Sequence, residues 1–383
     1  MNIKKIAYIH HAGGFGGAPK SMSYIIKYIN KEKYKPILVN IANGPINDFF
    51  NELAVKIFLP RGIRPFHGST VTEKTLRTFT VNLVFFVPSV FKAYYLLRHI
   101  KPDLIHLNST CLFSFAIAAK LYNTEIPVIC HVREPIRKGL WGFPLRFFSK
   151  LCVDGFIAIS QNDLESLKLK DGSPHKKEVI YNFVDKMETV SNLKISFREE
   201  LGIDNNDIIF LYLARFAKSN GWEELINTAK KVVENRSNFH FVLVGADHNY
   251  PQYENLKNIH LLNFRTDVVS IFKESNVFIC PFTEPHFARG VIEAAAYGLP
   301  SIGRDIGGVN ELIIDGKTGY LYRSEEEFIK YLNLLGESET ARKELGLNGV
   351  EFAKENFEME MNLKRTFKFY SQFFPLKKKQ RVK

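Results

Sequence analysis

Apolar positions along this chain follow two rhythms. Short continuous runs rich in β-branched residues recur in the first half: KKIAYIHH, PILVNIA, VKIFLP, DLIHLN, PVICHV, GFIAIS and EVIYNF. Between them lie stretches whose apolar residues return every three or four positions, such as SMSYIIKYINK and LFSFAIAAKLY. Continuous apolar runs predict strands buried on both faces, and the intervening periodicity predicts amphipathic helices. Strand and helix in alternation predict a parallel sheet covered on both sides.

The rhythm lapses around residues 184–206, in VDKMETVSNLKISFREELGIDNND, and restarts with IIFLYLAR, FHFVLVG, IHLLNF, VFICPF, PSIGRD and GYLY. We therefore expect an α/β protein of two doubly wound domains facing a central cleft. The boundaries expected are 1–186 for the first domain, 187–206 for a linker, 207–357 for the second domain, and 358–383 for a C-terminal helix and tail. A chain of 383 residues exceeds what one compact core organises, which fits two domains. Ligands of such sheets sit beyond the carboxyl ends of the strands, so the residues that follow strands carry the functional question.

Composition narrows the class. Hydrophobic residues at 45% and charged residues at 24% are those of a globular protein. The excess of 52 Lys+Arg over 40 Asp+Glu, a balance of +12, favours anionic partners. Part of the excess lies in the terminal PLKKKQRVK, read first as a solvated end and second as a contact for lipid headgroups. The surplus is otherwise dispersed and no nucleic-acid module is recognisable, so a nucleic-acid partner is not expected. The four cysteines form no C-x-x-C pair, and Cys130 and Cys280 lie in strand-like runs as reduced core residues. No metal site is expected. MNIKKIAYIHHAGG reads as a first strand rather than a signal peptide. The most apolar segment, VNLVFFVPSVFKAYYLL at 81–97, is interrupted by Asn82, Pro88 and Lys92. It falls short of the roughly 20 apolar residues of a spanning helix. A buried helix is the favoured expectation, with an aromatic-rich helix lying on a membrane surface as the alternative.

Four loops carry candidate chemistry. After the first strand, HHAGGFGGAPKS places four glycines within five residues before a helix start, where backbone can approach an anion closely. It is neither the dinucleotide fingerprint, since Pro19 stands at the third glycine position, nor a P-loop. CHVREP sends His131, Arg133 and Glu134 out of a buried run together, and Asn108 ends the neighbouring HLNST strand toward the same space. In the second half, Arg215 and Lys218 follow the apolar FLYLA, two cations suited to a diphosphate. Finally, TEPHFARGVIEAAAYGLPSIGRDIGG holds Glu284 and Glu293 nine positions apart. At about 100° per residue, one helix would turn them to opposite sides. Pro285 predicts that Glu284, His286 and Phe287 lie on a loop and that RGVIEAAAYG is the helix, with Glu293 one turn inside. Backbone N–H groups near Arg289, Gly290 and Val291 would then form an anion-binding terminus.

EPHFARGVIEAAAYGLPSIGRDIGGVNELIIDGKTGYLY resembles the signature of the family 4 retaining glycosyltransferases of the GT-B fold. HHAGGFGGAPKS, HVREP, AISQNDLESL and VIYNFVD follow in that family's usual order, so the resemblance covers nearly the whole chain. It implies two Rossmann-like domains, an acceptor-side N-terminal one and a nucleotide-sugar-binding C-terminal one. It also implies sugar transfer from a nucleotide-activated donor to an acceptor hydroxyl, with anomeric retention, no metal and no cofactor beyond the donor itself. By position, the resemblance makes Glu293 the holder of the donor ribose and Glu284, with its neighbour His286, the holder of the donor sugar. It sets Arg215 and Lys218 against the leaving diphosphate, Gly16 and Gly17 near the diphosphate or acceptor, and His131 on the sugar. Catalytic roles fall on His131, Glu284, Arg215 and Lys218. Asn108, Arg133 and Glu134 fall on the acceptor side. In the family's front-face mechanism the leaving phosphate takes the acceptor proton, so no dedicated nucleophile is required, and domain closure completes the site. Two departures stand out: the family's paired glutamates are usually one position closer, and its lysine position falls on Asn220 here.

The expected function is hexosyl transfer in polysaccharide, lipopolysaccharide or glycolipid assembly. The expected location is cytoplasmic, with peripheral contact to the inner face of the membrane, and the partners expected are a nucleotide sugar, a glycan or lipid-linked acceptor and an anionic membrane surface. The alternatives kept are a nucleotide-sugar epimerase of similar fold, with Glu134 as its spare carboxylate, and a noncatalytic nucleotide-sugar-binding relative.

Overall fold

The computed structural model describes residues 3–14, 16–72, 75–184, 196–246, 250–253, 256–265 and 267–374. The chain divides into two compact units, Met1–Asn182 with Glu360–Lys383, and Phe183–Met359.

The strands of the first unit are β1 (Lys4–His10), β2 (Tyr34–Asn40), β3 (Lys56–Phe58), β4 (Leu104–Leu107), β5 (Val128–Val132), β6 (Gly155–Ala158) and β7 (Lys176–Val179). Its helices are α1 (Gly17–Tyr28), α2 (Ile46–Asn51), α3 (Leu76–Ile100), α4 (Phe113–Tyr122), α5 (Phe143–Cys152) and α6 (Gln161–Ser166). The second unit has α7 (Phe197–Leu201), β8 (Ile208–Leu213), α8 (Trp222–Val233), β9 (Phe239–Ala246), β10 (Ile259–Asn263), α9 (Val268–Glu274), β11 (Val277–Cys280) and α10 (Arg289–Ala296). It continues through β12 (Ser301–Arg304), β13 (Gly319–Tyr322), α11 (Glu325–Glu337) and α12 (Glu339–Asn356), before α13 (Met359–Ser371).

The sheets run β3-β2-β1-β4-β5-β6-β7 and β10-β9-β8-β11-β12-β13, and the strand pairs within them are parallel. In each, the order reverses beside the first strand of the unit, between β1 and β4 and between β8 and β11. Those are the switch points at which a doubly wound sheet opens a ligand crevice beyond its strand ends. Burial explains why these segments are strands: Ile6, Ala7, Tyr8 and Ile9 of β1 are all inaccessible, as are Ile209 and Leu211 of β8. A sheet covered on both faces admits no polar alternation. The covering helices show the complementary period: Trp222, Leu225, Ile226, Ala229, Val232 and Val233 line the inner face of α8.

Two expectations need correction. Part of the expected linker, 187–195, lies outside the described residues, but 196–206 belongs to the second unit. There α7 is locked by Arg198, which donates to the Glu274 carbonyl (3.0 Å), Asn276 Oδ1 (2.8 Å) and the Asp204 carbonyl (2.8 Å). The apolar segment 81–97 is not a buried helix. It lies inside α3, a 25-residue helix capped by Thr75, whose hydroxyl accepts from Thr78 N (3.0 Å), and ended by Lys101 in the left-handed region at φ 52°. Only 28% of its most apolar window is buried.

At the other end of the chain, α13 packs into the first unit. Arg365 reaches Glu178 (3.1 Å), Asn362 donates to the Tyr181 carbonyl (3.1 Å), and Tyr370 Oη lies 2.7 Å from His106 Nδ1. The basic tail that follows falls outside the described residues.

Candidate active site

In the first unit the strand ends at the switch point converge on one buried guanidinium. Arg133 Nε donates to Asn108 Oδ1 (2.7 Å), Nη1 to Asn182 Oδ1 (3.1 Å) and Nη2 to His131 Nδ1 (3.3 Å). Asn182 Oδ1 also accepts from Ser21 Oγ of α1 (3.1 Å). With its oxygen committed to Arg133, Asn108 turns its amide nitrogen to His10 Nδ1 (3.0 Å) and the Ala18 carbonyl (3.2 Å). One network thus ties the ends of β1, β4 and β5 to the first turns of α1.

The expected acceptor-side roles of Asn108 and Arg133 are corrected by this geometry. Asn108 is fully buried and Arg133 nearly so, and both spend their polar atoms on the chain itself. They position the site rather than face a substrate. Glu134 is the half-exposed member of that group.

The network fixes histidine tautomers. A guanidinium only donates, so His131 accepts at Nδ1 and carries its proton on Nε2. That Nε2 is buried and has no hydrogen-bond partner among the described residues, and the same holds for Nε2 of His10 and His106. All three rings stay neutral. Burial pushes the pKa of each below the ordinary imidazole value, and the Arg133 charge pushes the same way, bringing His106 to about 3. His10, His106, Ser21 and Asn182 were not singled out from the sequence. The doubled histidine closing the first strand run is the signal that could have found them.

Ahead of this network, Gly16 is the N-cap of α1 and Gly17 its first residue, and the cap has no side-chain hydrogen bond. A Cβ on Gly16 would meet no protein atom within 4 Å. Its backbone is extended, so neither crowding nor dihedral strain within the chain calls for glycine there.

In the second unit, the loop after β8 carries Arg215 and Lys218, both exposed, with no hydrogen bond or ion pair from either side chain among the described residues. Asn220 does not stand beside them as a third polar group. It is buried and donates to the Arg215 carbonyl (2.9 Å), so it shapes the loop from within. The loop is stitched to the one after β11: Thr283 N donates to the Ser219 carbonyl (2.9 Å), Thr283 Oγ1 to the Lys218 carbonyl (2.9 Å), and Glu284 N to the Ser219 carbonyl (3.3 Å). Adjacent strands β8 and β11 thus deliver Arg215, Lys218 and Glu284 to one end of the sheet.

Glu284 lies on a loop, as expected. His286 donates from Nδ1 to the Glu284 carbonyl (2.7 Å) and stacks on Phe282 at 4.2 Å. Burial lowers its pKa to about 4, with Arg215 adding to the effect and the carbonyl contact opposing it. The ring is therefore neutral and keeps Nε2 as an acceptor. Gly308, at φ 85°, lies against this turn, where a Cβ would come within 2.6 Å of the His286 backbone. That close approach and its left-handed dihedral both require glycine.

Helix α10 begins at Arg289, where the RGVIEAAAYG run was expected to start it, and Ala288 at its N-cap supplies no side-chain cap. Gly290 lets the helix sit directly on the sheet, since a Cβ there would meet Phe278 at 2.5 Å, and Val291 is buried beneath it. Glu293 is one turn in and accepts from Arg289 Nε at 2.7 Å. Both Nη atoms of Arg289 are buried without a partner among the described residues. A separate cavity of about 410 Å³, lined by Glu224, Arg304, Tyr322 and Glu325, lies between α8 and α11. Its Lys231 is already paired with Glu325 (2.7 Å), unlike Arg215 and Lys218.

Comparison with known proteins identifies the family. Residues 15–187 match the family described as Glycosyltransferase Family 4, and residues 194–352 match Glycosyl transferases group 1. Among curated relatives, an Escherichia coli UDP-Gal:alpha-D-GlcNAc-diphosphoundecaprenol alpha-1,3-galactosyltransferase is 25% identical over 83% of each chain. The Staphylococcus aureus capsular polysaccharide biosynthesis glycosyltransferase CapM is 20% identical over 91% of this chain and 92% of its own. Among solved structures, Anabaena HepE in complex with UDP and glucose superposes with a TM-score of 0.77 at 19% identity, covering 96% of this chain and all of that one. A glycosyltransferase from Rickettsia africae does so at 0.76 and 16%, covering 98% of this chain and 99% of that one. With two parallel doubly wound sheets and both halves of the chain matched, the chain belongs to the family 4 glycosyltransferases, built on the GT-B architecture of two Rossmann-like domains.

Proposed function

We propose that this glycosyltransferase moves a hexosyl group from a nucleoside-diphosphate sugar to an acceptor hydroxyl, with retention at the anomeric carbon and without a metal ion. The observation that carries the reading is the pairing of two unpartnered cations, Arg215 and Lys218, with an uncapped helix start whose Arg289 holds two buried, unused Nη atoms. Donors gathered in this way suit a diphosphate.

In the proposed step the acceptor oxygen forms a bond to the anomeric carbon while that carbon's bond to the phosphate oxygen breaks. The electron pair goes to the leaving nucleoside diphosphate, which also takes the acceptor's proton. Arg215 and Lys218 stabilise the charge gathering on that phosphate. Glu293 accepts from the donor ribose. The Glu284 loop and neutral His286 hold the donor sugar, and His131 offers its Nε2–H to a sugar hydroxyl. The open space at Gly16, next to Gly17, admits an anionic part of donor or acceptor against the α1 terminus.

The names of the relatives favour a cell-surface product. The Escherichia coli protein is named for a diphosphoundecaprenol-linked acceptor and a UDP-sugar, and CapM for capsular polysaccharide. We accordingly place the reaction in polysaccharide, lipopolysaccharide or lipid-linked glycan assembly, at the cytoplasmic face of the membrane.

The test is incubation of the protein with a panel of UDP- and GDP-hexoses and lipid-diphosphate-linked sugars. Product linkage is read by NMR. A new α-linked product from an α-linked donor is expected. An inverted linkage overturns retention, and an epimerised donor formed without acceptor overturns transfer in favour of epimerisation.

A further inference from the structure

Helix α3 is apolar on both of its sides. The side it turns to the protein carries Val90, Ala93, Leu97 and Ile100, together with Asn82 and Ser89, each satisfied by backbone: Asn82 exchanges two hydrogen bonds with His67 (2.9 and 2.7 Å), and Ser89 Oγ accepts from Arg64 N (2.9 Å). The side it turns outward carries Leu83, Val84, Val87, Phe91 and Tyr95, with Leu83 58% and Phe91 59% exposed. A helix on a water-facing surface turns polar and charged residues outward instead.

A second stripe continues the first. Phe143, Phe147 and Leu151 recur every four residues on α5, and Leu151 is 68% exposed. The two stripes are linked through packed rings: Phe147 on Phe148 (5.2 Å), Phe148 on Phe86 (5.5 Å), and Phe79 on Trp141 (5.9 Å). Helices α3, α4 and α5 pack side by side, and their inner faces, including Val90, Ala93, Phe113 and Leu145, are core. The loop before α5 thrusts Leu140 outward at 88% exposure. It is held in place by Arg146, which donates to the carbonyls of Arg137 (2.7 Å) and Gly139 (3.1 Å). This exposure is built rather than frayed.

Charge identifies the occupant. Helices α3, α4 and α5 contain not one Asp or Glu, and Arg77, Lys92 and Arg98 of α3 are exposed beside the apolar face, whereas Lys120 is paired with Asp154 and Arg146 is buried. Contiguous exposed apolar surface marks an interaction site, and apolar side chains set among cations match the acyl boundary beneath anionic headgroups. Although α3 is long and apolar enough to cross a membrane, its inner face is committed to the core through Val90, Ala93, Leu97 and Ile100. Only its outer face is left to meet a bilayer.

We propose that the outer faces of α3 and α5, with the Leu140 loop, form a docking surface for an anionic lipid bilayer, into which Leu83, Phe91, Phe147 and Leu140 insert. This deepens the membrane-side part of the preceding reading. Vesicle binding requires no donor or acceptor, so it stands or fails separately from sugar transfer.

The test is co-sedimentation of the full chain with sucrose-loaded vesicles of phosphatidylethanolamine and phosphatidylglycerol, against pure phosphatidylcholine. Strong binding to the anionic vesicles and weak binding to phosphatidylcholine are expected. The doubly substituted Leu83→Glu/Phe147→Glu chain should bind at least about tenfold less, because two charges are forced into the apolar layer. Its melting temperature should be unchanged, since both positions are exposed. A chain shortened by residues 376–383 should retain most of the binding. Equal binding by the double variant, loss of binding on removing the tail alone, or resistance of wild-type binding to carbonate extraction each overturns the proposal. So does a lipid-free dimer in sedimentation velocity that the double variant dissolves, which would make the face an interface between copies.

Discussion

Arg289 and Glu293 face each other across the first turn of α10, with Nε 2.7 Å from Oε1 and both side chains 18% exposed. The pair uses one edge of the guanidinium and one carboxylate oxygen, and leaves both Nη atoms buried without partners among the described residues. Because the pair is mostly buried, Glu293→Ala also leaves the Arg289 guanidinium without its partner, and the variant should lose some stability. Its ligand affinity is therefore read below its own melting temperature, on folded protein. We predict that Glu293→Ala weakens nucleoside-diphosphate binding at least about tenfold, the loss of one charge-assisted hydrogen bond worth roughly 1.5 kcal/mol or more. Calorimetry checks it, and unchanged affinity removes the ribose assignment.

Lys218 and Asn220 sit two residues apart on one turn and do different work. Lys218 is exposed and unpaired, whereas Asn220 is buried and holds the Arg215 carbonyl. Lys218→Ala and Arg215→Ala should each lower turnover about tenfold or more, the equivalent of ~1.4 kcal/mol of lost transition-state stabilisation, with no change in melting temperature. Asn220→Ala should lower turnover and also cost about 1 kcal/mol of stability, since it removes a buried hydrogen bond. Comparison of kcat with thermal melts separates the two kinds of residue. Full activity in Arg215→Ala would show that the diphosphate is held elsewhere.

What the sequence made legible was what repeats. Uninterrupted apolar runs identified two parallel sheets, because only strands buried on both faces can omit polar residues. The separation of Glu284 from Glu293 was legible too, because a helical period and one proline place them on different elements. Contacts made across long sequence distances were not legible. Arg133 looked like a substrate-facing cation beside His131, yet its partners Asn108 and Asn182 come from other strand ends and turn it inward. The outward apolar face of α3 was hidden for a related reason. Asn82 looked like an interruption of the apolar run, and only its backbone partner at His67, with that of Ser89 at Arg64, shows which side is inside.

Arg133 should consequently behave as a stability residue. Arg133→Met keeps the volume of the stem but strips donors from Asn108 Oδ1, Asn182 Oδ1 and His131 Nδ1, three acceptors in a buried setting. A loss of about 3 kcal/mol follows from leaving such groups unsatisfied. A lower urea midpoint with an unchanged slope is the expected reading. A variant of normal stability with a raised KM for acceptor alone would return Arg133 to the substrate.

The neutral buried histidines make stability depend on pH. His106 in the folded chain titrates near 3, and His10 and His131 are likewise held well below the ordinary value of 6.5. As pH falls below 6.5 the unfolded chain takes up these protons first. Their contribution is therefore complete above about pH 6.5 and is lost progressively toward the folded-state values. Each neutral histidine should reduce stability by about 1.4 kcal/mol per pH unit over that window. Denaturant titrations at pH 7.5 and 5.5 test this. His106→Asn should shallow the dependence, and a flat wild-type profile would mean that the rings are protonated or reach solvent.

His131 offers the sharpest test of the first unit's part in the reaction. Its Nδ1 is taken by Arg133, so Nε2 must carry the proton, and that N–H is buried with nothing among the described residues to receive it. An unmet buried donor is costly, on the order of 1–3 kcal/mol, unless a ligand accepts from it. His131→Phe removes the donor while keeping a ring of similar size against His106, which lies 5.5 Å away. Removal of the unmet Nε2–H and loss of the Arg133 Nη2 contact at Nδ1 oppose each other, so the stability of the unliganded protein should change by no more than about 1 kcal/mol, while turnover falls at least about tenfold for the lost contact to the sugar. Binding of the bare nucleoside diphosphate, which has no sugar hydroxyl to offer, should be unaltered. Loss of nucleotide affinity in this variant would place His131 against the diphosphate, and full turnover would leave the Nε2–H without a role in transfer.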